Sequence, residues 1–151
     1  MPHLTDSPAL RRDGLTLVAL PNSVQIGRLY TTAVLRGWGY LNQEFLDDAQ
    51  LVVSELLTNS VQAMRSANGH TPVTARSFIK ITLSELRDRM CVEVWDPHPG
   101  LPHPGGMPDA ESLRGRGLEI VRALALDMGY RVPRDGSTTA GKTVFATLPF
   151  P

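Results

Sequence analysis

The stretch Asp47-Asp48-Ala49-Gln50-Leu51-Val52-Val53-Ser54-Glu55-Leu56-Leu57-Thr58-Asn59-Ser60-Val61-Gln62-Ala63-Met64 constrains the fold more than any other. Ala49, Val53, Leu56, Leu57, Ser60 and Met64 recur at helical spacing and predict one buried side. Asp48, Glu55, Asn59, Gln62 and Ser66 fall on the other side. A helix of this kind needs an apolar surface to lie on, so the rest of the chain has to supply one. Glu55 and Asn59 are four residues apart and therefore neighbours on the polar side. A carboxylate there can orient or deprotonate a nucleophile, and a carboxamide offers a neutral oxygen to a hard cation such as magnesium. An ordinary solvated helix face fits the same spacing.

The flanking segments supply a sheet. Met1 to Asp13 is polar and reads as a loose leader, with the domain proper spanning 15–151 and residues 1–14 outside it. Leu15 to Leu20 predicts a short strand stopped by Pro21. Asn22 or Ser23 can cap a helix over about Val24–Trp38, with Ile26, Leu29, Tyr30, Ala33 and Val34 as its apolar stripe and Gly37 and Gly39 at its end. The long helix should stop near Ala67-Asn68-Gly69. Ile79–Ser84 alternates, Glu85–Arg89 reads as a hairpin turn, and Met90–Trp95 reads as an antiparallel partner that delivers Asp96 at its end. Five prolines and four glycines crowd residues 97–116, too long a connection for an ordinary turn and suited to a lid. A helix from Gly117 to about Met128-Gly129, a short strand over Tyr130–Pro133 and a last strand over Lys142–Leu148 complete the pattern. The order predicts an α+β two-layer sandwich, a mixed, mostly antiparallel sheet with helices packed on one face.

Composition excludes several classes. The formal net charge is zero, so no basic excess points to nucleic acid or an anionic membrane. The single cysteine, Cys91, cannot form an internal disulfide and reads as a buried, inert thiol. No apolar run is long enough to span a membrane and no signal-peptide core is present, which leads to the expectation of a cytoplasmic protein. The four histidines do not make a zinc set, and no Gly-x-Ser-x-Gly elbow is present.

Two further places carry chemistry. Asp96 stands at a strand end, where a carboxylate can accept a hydrogen bond from an exocyclic amine; a turn-initiating Asp before Pro97 fits equally well. Arg114-Gly115-Arg116-Gly117-Leu118 comes before the expected helix, where backbone N–H groups and a helix N-terminus can hold a phosphate, or simply form a flexible entry. It is no dinucleotide fingerprint, since no strand feeds it, and Gly141-Lys142-Thr143 is no P-loop, since it precedes a strand.

In order, Glu55-x-x-x-Asn59, Asp96 with Gly100-x-Pro102, Gly115-x-Gly117-Leu118 and Gly141-x-Thr143 form a set that resembles the Bergerat-type ATP-binding fold of histidine kinases and DNA gyrase. The resemblance runs from about Leu15 to Leu148 and is nearest to the stand-alone anti-sigma-factor serine/threonine kinases. It implies ATP and Mg2+ as cofactors, with Asn59 on the magnesium and Glu55 as general base or orienter of the attacking hydroxyl. It implies Asp96 as reader of the adenine amino group, with Thr143 near it and Gly100 where the chain passes the base. Gly115, Gly117, Leu118 and the first amides of the helix would hold phosphates, helped by Arg116. The implied partners are a small anti-anti-sigma protein and a sigma factor, and a homodimer is allowed but not fixed.

One departure stands out. The family has glycine two residues after the aspartate, and this chain has His98 between Pro97 and Pro99. A second reading therefore stands beside the kinase: a protein-binding module, weak in nucleotide or independent of it, that sequesters a regulatory partner without catalysis.

Overall fold

The computed structural model describes residues 8–68, 78–98, 110–132 and 141–151, with the backbone alone at 66–68 and 110–116. Among the described residues five strands and three helices follow in the order β1 (Arg11–Val18), α1 (Ser23–Gly37), α2 (Gln43–Asn68), β2 (Phe78–Glu85), β3 (Arg89–Asp96), α3 (Ala110–Leu124), β4 (Asp127–Arg131) and β5 (Lys142–Pro149). The strands form one sheet in the order β1-β2-β3-β5-β4, and each pairing is antiparallel. This is the expected α+β architecture, with a sheet that is antiparallel throughout the described strands instead of mixed.

The core lies between one sheet face and the helices. Alternation sends Ile79, Ile81 and Leu83 of β2, Met90, Val92 and Val94 of β3, and Val144, Ala146 and Leu148 of β5 to that face, all buried. Against them α2 sets Ala49, Val53, Leu56, Leu57 and Met64, the stripe read from its spacing, together with Val52 and Val61. Burying a Leu, Ile or Val side chain contributes roughly 1.5–3 kcal/mol, so this contact is the main source of stability. Asn42 starts α2, its Oδ1 accepting from the Phe45 N–H at 2.9 Å, four residues earlier than the apolar pattern alone suggests.

Helix α1 departs from its expected stripe. Its buried residues are Ser23, Gly27, Thr31 and Leu35, while Ile26 and Leu29 are exposed. The reason is close packing: a side-chain carbon at Gly27 would collide with Leu57 Cδ1 and lie 3.0 Å from Ile81 Cδ1, so this position has no room for a side chain, and the large apolar residue on this side comes only at Leu35. Neither candidate cap acts as one. Asn22 makes no capping bond, and the Ser23 hydroxyl donates instead to the Val18 carbonyl. The other end closes as expected, with Gly39 at φ +97°, its N–H donating to Arg36 and the Tyr40 N–H to Leu35.

Strand β1 begins at Arg11, so the last four residues assigned to the leader belong to the sheet. Arg11–Gly14 pair with Glu85–Thr82, and the Arg11 guanidinium bonds the Glu85 carboxylate while lying 5.3 Å from the Trp38 ring centre. Tyr40 donates to the same carboxylate at 2.6 Å. The Arg11 bond, and then Tyr40, hold the Glu85 carboxyl below its ordinary pKa despite burial. On the face away from the helices, Cys91 is buried and free, and burial, then Glu93, pushes its thiol up to about 12. Among the described residues no helix is long and apolar enough to cross a membrane.

Candidate functional site

The end of β3 and the start of β5, side by side in the sheet, meet the middle of α2, against which α3 packs. Alternation along Met90, Val92 and Val94 puts Asp96 on the helix face, where it is 0% exposed. A carboxylate so placed is costly unless its oxygens are bonded. Three donors supply that. Lys142 Nζ lies 2.8 Å from Asp96 Oδ1, the His98 N–H donates to the same oxygen at 3.0 Å, and the Ser60 hydroxyl donates to Oδ2 at 2.7 Å. The His98 bond closes a turn across Pro97, so the His at this position leaves the chain able to fold back onto the aspartate.

Gly141 makes this arrangement possible. Its φ is +53°, and a side-chain carbon there would overlap the Asp96 carbonyl oxygen and lie 2.9 Å from Pro97 Cα. With nothing but hydrogen at 141, β5 starts directly beside the end of β3, and Lys142 falls opposite Asp96 in the register. Lys142 is itself only 5% exposed and also reaches the His98 carbonyl at 3.4 Å.

On α2, Glu55 and Asn59 are half-buried, one turn apart. Asn59 immediately precedes Ser60, so the residue beside the carboxamide is the one that holds Asp96. Helix α3 lies across α2, and a side-chain carbon at Gly117 would collide with Glu55 Oε2 and lie 3.2 Å from Cδ. Burial raises the Glu55 carboxyl above its ordinary pKa. Leu118 and Val121, further along the same helix, are buried.

The structure thus brings Glu55 to Gly117, and Asp96 to the α2 turn that carries Asn59. It places other residues differently from the sequence reading. Helix α3 starts at Ala110, so Gly115 and Gly117 lie inside the helix and not ahead of it, and the free first-turn amides belong to residues near Ala110. The same helix ends at Leu124, because Asp127–Arg131 is taken up as β4 against β5. Thr143 is not the neighbour of Asp96. It pairs with Trp95, and alternation turns its side chain to the opposite face from Lys142. Gly100 with the rest of 99–109 in the lid, and the Arg116 side chain, lie outside the described residues.

Two residues of the site escaped the sequence reading. Ser60 reads as one small polar residue in an apolar stripe, and that misfit was its signal. Lys142 is a charge at an inward position of an otherwise apolar alternation, Lys142, Val144, Ala146, Leu148, and only the register with Asp96 explains it.

Compared with known families, residues 17–147 match the histidine kinase-like ATPase domain. The chain belongs to that family. An ATPase domain of this kind implies nucleotide binding. No curated protein matches the chain.

Proposed function

We propose that the chain is an ATP-binding regulatory protein of the cytoplasm that transfers a phosphoryl group to a serine or threonine of a small partner protein, of the anti-anti-sigma type, and that it also sequesters a sigma factor. The observation that carries the chemistry is Glu55: a half-buried carboxylate whose pKa is raised by desolvation, one turn from Asn59 and against Gly117 of the next helix. A carboxylate made more basic in this way is suited to take a proton from a hydroxyl as its oxygen bonds to the γ-phosphorus and the bond to the departing diphosphate breaks.

Magnesium fits the donor set. Among the described residues no group of three His, Cys, Asp or Glu side chains is placed to hold a metal. A divalent ion here would therefore take one protein oxygen, the Asn59 carboxamide, with phosphate oxygens and water as the rest, the usual state of magnesium in phosphoryl-transfer sites. Its contribution would be neutralisation of phosphate charge. Glu55 orients and deprotonates the acceptor hydroxyl, and Asp96 anchors the base.

A specific observation favours the second reading, the nucleotide-weak binding module: both Asp96 oxygens are already engaged and the carboxylate is fully covered. Calorimetric titration with ATP, with and without magnesium, separates the two. The kinase reading expects magnesium-dependent binding that Asp96→Asn loses and Asn59→Ala weakens. It also expects Glu55→Ala to keep binding while losing transfer from γ-labelled ATP to small anti-anti-sigma-type proteins of the same genome. Neither heat nor a thermal shift at millimolar ATP would leave the module.

A further inference from the structure

The base end of the site holds a charged group to which the kinase reading gives no role. Asp96 has about four acceptor places as a carboxylate, and three are taken: Lys142 Nζ and the His98 N–H on Oδ1, the Ser60 hydroxyl on Oδ2. The three donors differ in how firmly they are fixed. The His98 N–H is backbone, two residues from Asp96. Ser60 sits on the buried side of α2, 3% exposed, with the core on either side. Lys142 alone ends a flexible four-carbon stem.

A nucleobase amino group approaching Asp96 would meet a carboxylate that is 0% exposed and an ammonium 5% exposed beside it. Lys142 and the His98 N–H fill both places on Oδ1, and Oδ2 is held toward α2 by Ser60, so the amine reaches Oδ1 only where Lys142 leaves. Exchange at this oxygen asks only for rotation of that stem, and the β3–β5 register that sets Lys142 opposite Asp96 need not change.

We propose that Lys142 is a displaceable counter-ion of the base site: in the unliganded chain its ammonium holds the position on Asp96 that the exocyclic amine of adenine takes on binding, so that binding is an exchange of one donor for another. This rests on the nucleotide-site reading above. Lys142 then sets the affinity. The amine bonds the same carboxylate but carries no charge, so binding gives up the ion-pair attraction of Lys142 for Asp96, and the native chain binds ATP more weakly than a chain lacking the ammonium. The same exchange sharpens discrimination, because a purine without the amine gains nothing from displacing the lysine.

The test uses Lys142→Met, which keeps the stem and removes the charge. At pH 8 the variant should bind Mg·ATP at least tenfold more tightly than the wild type by calorimetry, with little gain for purine riboside triphosphate, which lacks the amine. The wild type offers an independent readout that needs no variant to fold. The chain has only two lysines, Lys80 and Lys142. In a lysine-labelled sample, the Lys142 Nζ resonance should move on saturation with Mg·ATP while that of exposed Lys80 stays. ATP binding by the wild type with an unmoved Lys142 resonance, equal or weaker binding by Lys142→Met, or an equal gain for the two nucleotides would overturn the exchange and leave the nucleotide site standing. Absence of ATP binding in both proteins would remove the nucleotide site itself, and the exchange with it.

Discussion

The carboxylate of Glu55 on α2 rests against the backbone of Gly117 on α3, with no room between them for a side-chain carbon. Two opposing terms decide what a methyl group there would do. Alanine in a helix interior is favoured over glycine by about 1 kcal/mol. The collision is with the far end of a side chain that can rotate, so the steric term for stability is small. Gly117→Ala should therefore leave the melting temperature within a few degrees of wild type while expelling Glu55 from its position. If Glu55 is the base, phosphoryl transfer should fall roughly 10²-fold or more, the scale of general-base catalysis. Unchanged transfer by a well-folded Gly117→Ala would separate the Glu55 position from the chemistry.

Glu55 also predicts a pH dependence. Burial raises its folded pKa above the unfolded value, so the folded chain binds the extra proton more tightly. Stability then falls as pH rises from the ordinary glutamate range through the raised folded pKa, and the loss persists above it. Glu55→Gln removes that loss. It should melt higher than wild type at pH 8, by less than about 1 kcal/mol because the half-exposed carboxylate keeps much of its solvent screening, and the difference should close near pH 4. A variant less stable than wild type at pH 8 would contradict the assignment.

The fold was legible where periodicity and burial agree. Helix α2 and the β2–β3 hairpin follow directly from their patterns, because each has one face in the core and one outside. Helix α1 misled for a physical reason. Its closest approach to the core passes through Gly27 and Thr31, and a stripe chosen for small size has no hydrophobic signal, whereas Ile26 and Leu29 carry the signal and are exposed. At the site, Glu55, Asn59 and Asp96 were visible as polar groups at ordered spacings. Ser60 and Lys142 were not, since their meaning lies in a register between β3 and β5 and in one turn of α2, contacts between residues 36 and 46 positions apart.

Arg11 and Glu85 tie β1 to the neighbouring strand β2, and their pair titrates with the opposite sign from Glu55. The folded pKa of Glu85 is lowered, first by the Arg11 bond. Its contribution is present above the ordinary glutamate pKa and is lost as pH falls through the lowered folded value. Arg11→Ala should therefore lower the melting temperature at pH 7, and the gap to wild type should narrow steadily in acid. The Trp38 contact is charge-independent on the glutamate side, so a small residual gap at the acid end is expected from it. A gap that stayed constant from pH 7 into acid would show that the ion pair contributes nothing.

Ser60 offers the sharpest test of how the site is held. Among the described residues its hydroxyl makes the one side-chain bond between α2 and Asp96, 2.7 Å long and buried at both ends. Removing the donor leaves an acceptor place on a buried carboxylate unfilled, which costs about 1–3 kcal/mol. For a domain of this size that is a fall in melting temperature of roughly 2–12 °C. Ser60→Ala should show that fall, whereas Ser60→Thr keeps the hydroxyl and tests only the added methyl group. The functional consequence is separate. With Asp96 released from α2, the base anchor is no longer fixed relative to Asn59, so Mg·ATP binding should weaken by more than the same change at Ser54, whose side chain lies a turn and a half earlier on the helix. Equal binding by Ser60→Ala and wild type, with the stability loss present, would confine Ser60 to the fold and leave Lys142 and the His98 N–H as sufficient to orient the carboxylate.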